Sequence, residues 1–224
     1  SILRGLGNYI PYYDKTIELM VLTHPQADHL AGLVEVLKRY RVEQVLITNL
    51  AYDSAIYREW ARLLKEKNVA INYAKTGEVV HLGGGAALQI FYPYRDFEGR
   101  VISSEEINDL SIIAKLVYGK TSMLFTGDSE IGEEFNLIRS RLNIASDILK
   151  VGHHGSKTSS SEAFLKYVRP ELAVISVGRN NTYGHPNQLV LDRLSMLGIT
   201  TYRTDILGDI AFASDGFMWT SSQE

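Results

Sequence analysis

Short, mostly apolar runs alternate along the chain with polar loops, and the runs have two different periods. The stretches 17–22, 42–47, 69–73, 88–92, 148–151 and 172–177 have strand length and read as buried strands. Leu33, Val36, Leu37 and Tyr40 predict a helix over about 30–40. Ile56, Trp60, Leu63 and Leu64 fall at i, i+4, i+7 and i+8, which predicts a helix over 55–67. Further helices are predicted at 132–142, at 162–168 behind a capping Ser161, and at 188–197. Segments 110–117 and 122–126 read as a hairpin about Tyr118-Gly119-Lys120-Thr121. Residues 1–16 read as loop, 77–87 as a Gly-rich β-turn and 94–107 as an exposed polar loop. Short strands at 200–203, 209–213 and 217–220 complete the pattern. Strands mixed with helices in this order predict an α/β layered fold with sheets covered by helices.

Composition narrows the classes. The chain has 224 residues, 45% apolar and 22% charged, so it is globular and large enough for one sizeable core. Residues 1–224 read as one domain without linker or repeat. No apolar run reaches the roughly 20 residues of a membrane span. A first residue of Ser reads as a cut or processed chain. There is no Cys, so neither a disulfide partner nor a thiolate metal site is available. The net charge of −3 counts against a protein that coats nucleic acid non-specifically.

The chemistry gathers in four loops, each after an apolar strand: 23–32, 126–129, 152–160 and 178–186. Together they hold five of the six histidines, leaving His81, with no role, at a strand edge. In the first loop His24, Asp28 and His29 sit between a strand and a helix, where closely spaced imidazoles and carboxylates can converge on a divalent metal. Oxygen and nitrogen donors without sulfur suit Zn²⁺ or Mn²⁺, as one or two ions. Asp128, ahead of Ser129 and Glu130, reads either as a ligand or as a helix cap. Arg179 is a fork donor suited to phosphate, and Ser156, Lys157, Thr158 and Asn180 offer further polar contacts to a substrate.

The stretch His24-Pro25-Gln26-Ala27-Asp28-His29 resembles the His-x-His-x-Asp-His signature of the metallo-β-lactamase superfamily, with Gln26 in place of the middle His. With Thr126-Gly127-Asp128, Lys150-Val151-Gly152-His153-His154-Gly155-Ser156 and Tyr183-Gly184-His185-Pro186, it is similar to the metallo-β-lactamase-like domain of ComEC proteins of bacterial DNA uptake. The resemblance implies an αββα sandwich. The resemblance places the start of the chain past the turn that closes that fold's first β-hairpin, so the first sheet would lack edge strands.

The resemblance also implies a ligand set. One metal site would use Asp28, His29, His153 and Asp128. A second, poorer one would use His24, Gln26 and Asp128. A bound metal acidifies water to a pKa of about 7, giving a hydroxide that attacks phosphorus or acyl carbon. Asp28 and Asp128 would orient it, and His185 would serve as general acid or phosphate donor. His154 would support the site from behind, occupy an open coordination position, or contact substrate. The function expected is a metal-dependent phosphodiesterase or nuclease acting on DNA, single-stranded for preference, or on a small phosphodiester. Its parent would carry a membrane channel portion and show the domain at the outer face of the cytoplasmic membrane. The competing readings are a hydrolase of a β-lactam, lactone or phosphocholine ester, and a non-catalytic scaffold.

Overall fold

The computed structural model describes residues 2–98, 100 and 106–222. Strand β1 (Thr16–Leu22), helix α2 (Ala27–Arg39), strand β2 (Arg41–Ile47), helix α3 (Ala55–Glu66) and strand β3 (Ala70–Tyr73) follow one another, after helix α1 (Ile2–Tyr9). The three strands form a parallel sheet in chain order. Right-handed crossovers therefore place α2 and α3 on one face. Alternation along β1 and β2 sorts the side chains. Met20, Leu22, Val45 and Ile47 pack with Leu30, Leu37, Trp60 and Leu63 of the helices. Leu46, with half-buried Leu19 and Val21, packs on the opposite face against Leu88, Ile90 and Ala114 of the second sheet and Ile112 just ahead of one of its strands.

That second sheet has seven strands. In chain order they are β4 (Val79–Gly83), β5 (Ala86–Tyr92), β6 (Ile113–Tyr118), β7 (Thr121–Phe125), β8 (Ile148–Lys150), β9 (Leu172–Ile175) and β10 (Thr200–Arg203). They lie side by side in that order, antiparallel from β4 to β7 and parallel from β7 to β10. Helices α4 (Ile131–Ser140), α5 (Glu162–Val168) and α6 (Gln188–Met196) cover its outer face. Leu137, Phe164, Leu165, Val190 and Leu194 meet Leu124, Leu149, Ala173 and Ile175 there. The layers are helix, sheet, sheet, helix. A short helix α7 (Thr204–Leu207) and a hairpin of β11 (Phe212–Ser214) and β12 (Trp219–Ser221) follow.

Three expectations change. Residues 2–9 are helical, with Leu3 and Leu6 packed against the first core. Glycines at 5 and 7 weaken helix propensity and hide the pattern. Within 77–87 the hairpin turn is only Gly84-Gly85, because Val79–Gly83 pair with β5 as an edge strand. Of the stretch 94–107, Phe97 and Ile107 are buried in the core, so its described part is not a purely exposed loop. Residues 99 and 101–105 lie outside the described residues. No helix among the described residues is long and apolar enough to cross a membrane.

Strands β7, β8 and β9 end in register, with Phe125 beside Lys150 and Lys150 beside Val174. The loops carrying Asp128, His153 and His154, and His185 thus leave the sheet at one edge, the carboxyl ends of its parallel strands. The Ile112 N–H donates to the Thr23 carbonyl at 3.0 Å and brings the loop after β1 to the same edge. Trp60, 1% exposed between α3 and the first sheet, anchors that sheet's helical cover. Trp60→Ala is expected to cost about 3–5 kcal/mol of stability, read from urea unfolding midpoints.

Candidate metal centre

Helix α2 begins at Ala27, so Asp28 and His29 lie on its first turn rather than on the preceding loop. The helix aims both side chains at the ends of β7 and β8. His29 Nε2 lies 3.5 Å from Asp28 Oδ2 and 3.2 Å from Asp128 Oδ2. His154 Nε2 lies 3.2 Å from each of the same two carboxylates. The four side chains offer one ligand atom each, all within 4.8 Å of one another.

Of the two adjacent histidines, then, the geometry brings His154 to the cluster. His153 Nδ1 instead sits 2.9 Å from Glu130 Oε1, which also receives a 3.4 Å bond from Asn108 Nδ2. Backbone conformation sets this order. His153 (φ 45°) and His154 (φ 53°) are both left-handed, a strained state for residues with a Cβ, and consecutive left-handed residues swing the two rings apart. The turn is held from behind. A Cβ on Gly152 would meet the Ser129 carbonyl at 2.7 Å, and one on Gly155 would meet Pro186 Cβ at 2.7 Å. The backbone N–H groups of Ser160 and Ser161 donate to the buried Glu134, and Arg193 Nη1 donates to the Ser159 and Ser160 carbonyls at 3.2 Å.

Asp128 is 1% exposed, and its neighbours make an ionised carboxylate tolerable there. Its N–H donates to Ser111 Oγ at 2.9 Å. Lys150 Nζ donates to the Gly127 carbonyl at 2.7 Å and stands 3.5 Å from Asp128 Oδ1, leaving Oδ2 to the histidines. Burial alone would raise the Asp128 pKa. Bonds from His154 and His29 and the Lys150 charge outweigh it and hold the carboxyl well below the usual range. Burial likewise opposes charge on His154, but its bonds to Asp128 and Asp28 push its pKa up to about 10. Asp28 is held low chiefly by its bond with His154. Asp128 is not a helix cap; the residue ahead of α4 is Glu130, and its side chain makes no capping bond.

His24 is not one of the four, but its ring packs on that of His29 with centroids 4.1 Å apart. It is 1% exposed, with Nδ1 3.1 Å from both Thr23 Oγ1 and Ser111 Oγ, and Nε2 3.4 Å from Gln26 Oε1. Burial, and then neighbouring His29, lowers its pKa to about 4. Gln26 Oε1 thus stands beside the His24 ring nitrogen that would face a second ion.

Asp28, Asp128 and His154 face a cavity of about 430 Å³, which His153, Tyr183 and His185 also line. Burial, followed by the neighbouring His153 and His154, lowers the His185 pKa, so its ring is neutral at pH 7. Ser156, Lys157, Thr158, Arg179 and Asn180 are not among the cavity's lining residues. Ser156 and Thr158 hydroxyls bond each other at 2.9 Å, and Arg179 Nε donates to the Asp205 carbonyl at 3.1 Å. Patterning gave no sign of Lys150, Ser111, Glu130 or Glu134 as supports of the site. Their only trace is a lone cation ending an apolar strand (Lys150) and polar residues beside site loops.

The donor set fits a divalent metal. Four ligands on a tetrahedral ion with bonds of about 2.0–2.1 Å stand roughly 3.3 Å apart. Four of the six donor separations, 3.2–3.5 Å, match that spacing, and the other two lie within 4.8 Å.

The profile of the metallo-beta-lactamase superfamily matches residues 12–179. The chain belongs to that superfamily, whose members bind divalent metals, often zinc. Its curated relatives include ComEC-type competence proteins. It is 32% identical over 203 residues to ComE operon protein 3 of Bacillus subtilis (strain 168), covering 88% of this chain and 25% of that protein. It is 30% identical over 204 residues to Recombination protein 2 of Haemophilus influenzae, covering 90% and 23%. The chain thus spans about a quarter of the length of these relatives. Among solved structures, the metallo-beta-lactamase fold protein YhfI from Bacillus subtilis matches with a TM-score of 0.57 at 10% identity, over 99% of this chain and 83% of its own. CmlA, a diiron beta-hydroxylase from Streptomyces venezuelae, matches with a TM-score of 0.55 at 15% identity, over 84% and 44%. At these identities the likeness is one of fold.

Two outcomes follow for the metal-free chain. Between pH 6.5 and about 10 the native His154 keeps a proton that the unfolded chain releases, so stability falls as pH rises. Between about 4 and 6.5 the unfolded chain protonates His24 and the native chain does not, so stability falls as pH drops. Urea midpoints of the metal-free protein are expected to peak near about pH 6.5 and to decline toward about pH 5 and about pH 9. Lys150→Met removes the charge behind Asp128 and is expected to weaken Zn²⁺ binding by about 10- to 100-fold in a chelator competition titration.

Proposed function

We propose that the chain is the hydrolase domain of a longer DNA-uptake protein and cleaves phosphodiester bonds in single-stranded DNA. The observation that carries this reading is the cluster of Asp28, His29, Asp128 and His154, set at one end of a cavity of about 430 Å³. The competence-protein names of its relatives, and their fourfold greater length, support DNA as the substrate and a membrane-bound parent with this domain at its outer face.

Asp28, His29, Asp128 and His154 would hold Zn²⁺ or Mn²⁺. The arrangement at His24 and Gln26 favours one ion over two. When bound, the metal supplies a Lewis acid that acidifies water and offsets charge building on the phosphate oxygens. The chain's own groups do the rest. Asp128, buried and braced by Lys150 and Ser111, fixes the relative positions of His29 and His154. Asp28, whose side chain is 58% exposed at the cavity, stays ionised and accepts the proton of the attacking water at a carboxylate oxygen. His185, neutral at pH 7, donates one N–H to a phosphate oxygen; it does not arrive as a charged acid. His153, oriented by Glu130, flanks His185 with ring centroids 5.6 Å apart and keeps that ring in place.

The test is cleavage of a 5′-labelled single-stranded oligonucleotide by protein loaded with Mn²⁺ or Zn²⁺, beside hydrolysis of nitrocefin. Metal-dependent cleavage is expected, with Asp128→Ala lowering kcat/KM by on the order of 10³-fold or more. Nitrocefin turnover without oligonucleotide cleavage would reverse the assignment. Metal binding with no turnover of either would make the chain a scaffold.

A further inference from the structure

Tyr183 is the least expected residue at the rim of the cavity. Its side chain is bulky and apolar, yet 82% exposed. A single exposed aromatic is ordinary on a protein surface. This one differs in how it is held. Its ring is stacked on that of His185, with planes 17° apart and centroids separated by 6.1 Å. The turn that carries it is pinned at both ends by one side chain. Asn181 Nδ2 donates to the Gly178 carbonyl at 3.1 Å and to the His185 carbonyl at 2.8 Å, while Asn181 Oδ1 accepts from the His185 N–H at 3.0 Å. Gly184 (φ +72°) supplies the left-handed step that closes the turn. The backbone that presents this ring beside the centre is therefore held, and most of the ring's surface faces water.

An exposed aromatic face on a braced turn at the edge of a polar site suits a flat, π-bearing ligand. Stacking on such a face is strong and indifferent to base identity. The cavity volume of about 430 Å³ lies within the range that takes one drug-sized ligand. That is room for one nucleotide unit and not for the width of a duplex. The chain's negative charge gives it no broad electrostatic hold on a polyanion, so a local contact of this kind must supply affinity.

We infer that Tyr183 is a stacking platform for the unpaired nucleobase next to the scissile phosphodiester, and that it makes the site select single strands. The inference rests on the phosphodiesterase reading above and adds the subsite that recognises the base. Tyr183 acts through binding and takes no part in proton transfer.

The experiment compares two substrates with metal-loaded wild type, Tyr183→Phe and Tyr183→Ala. One is a labelled oligothymidylate. The other is the same oligomer with abasic sites flanking the scissile bond. Tyr183→Ala is expected to raise KM for oligothymidylate by about 5- to 150-fold, the span of one base–aromatic stack. Tyr183→Phe is expected to keep KM near that of the wild type. On the abasic oligomer, wild type and Tyr183→Ala are expected to have the same, elevated KM. Wild-type cleavage with unchanged KM in Tyr183→Ala overturns the platform and leaves the phosphodiesterase reading standing. A KM rise of equal size on both oligomers also overturns it, because the lost contact would then not be to a base. Absence of cleavage by the wild type removes the phosphodiesterase reading and the platform with it.

Discussion

A carboxylate with 1% exposure cannot stay ionised without partners, and the layout of the site answers that demand at Asp128. Each partner comes from a different element. His29 arrives on the first turn of α2, His154 on the loop after β8, Lys150 from the end of β8 itself, and Ser111 from just before β6. The same Ser111 hydroxyl faces His24, and Gly127 is pressed against it so closely that a Cβ there would sit 2.5 Å from Ser111 Cβ. Glycine is thus needed at 127 for space as well as for its left-handed φ of 54°. The charge, the glycine and the serine form one unit at the end of the seven-stranded sheet.

The architecture was largely legible in the sequence because the strands that matter are covered on both faces. Runs such as 148–151 and 172–177 leave little doubt of their state, and Trp60 with Leu63 and Leu64 marks a helix by spacing alone. Elements whose side chains are mostly exposed were not legible. Helix α1 buries no residue completely, and β4, at the edge of its sheet, is exposed at four of its five positions. Neither gives a period that burial would enforce.

The site was legible as a set of loops and less so as a set of bonds. Histidine and aspartate recurring after apolar strands pointed to one end of the sheets, and Asp28, His29 and Asp128 do converge there. Which of two adjacent histidines joins them is a matter of dihedral angles, and two identical neighbours carry no sign of it. Ser156, Thr158 and Arg179 look suited to a phosphate by type; in the fold the two hydroxyls bond each other and Arg179 Nε donates to the Asp205 carbonyl. Lys150 looked like a stray charge in a strand and stands behind the buried carboxylate. Residue type indicates what a side chain could do, while the direction in which each strand's pleat points it decides what it does.

The seam between the sheets gives the centre a mechanical meaning. Asp28 and His29 belong to the helix over the three-stranded sheet, and Asp128 and His154 to loops of the seven-stranded one. The apolar contact between the layers is modest, with Leu19 and Val21 only half-buried in it. An ion shared by both halves is then a rivet through the sandwich. Its binding energy counts toward holding the layers together as well as toward chemistry. In a compartment where metal supply fluctuates, the protein would gain or lose its reaction and its rigidity in the same event.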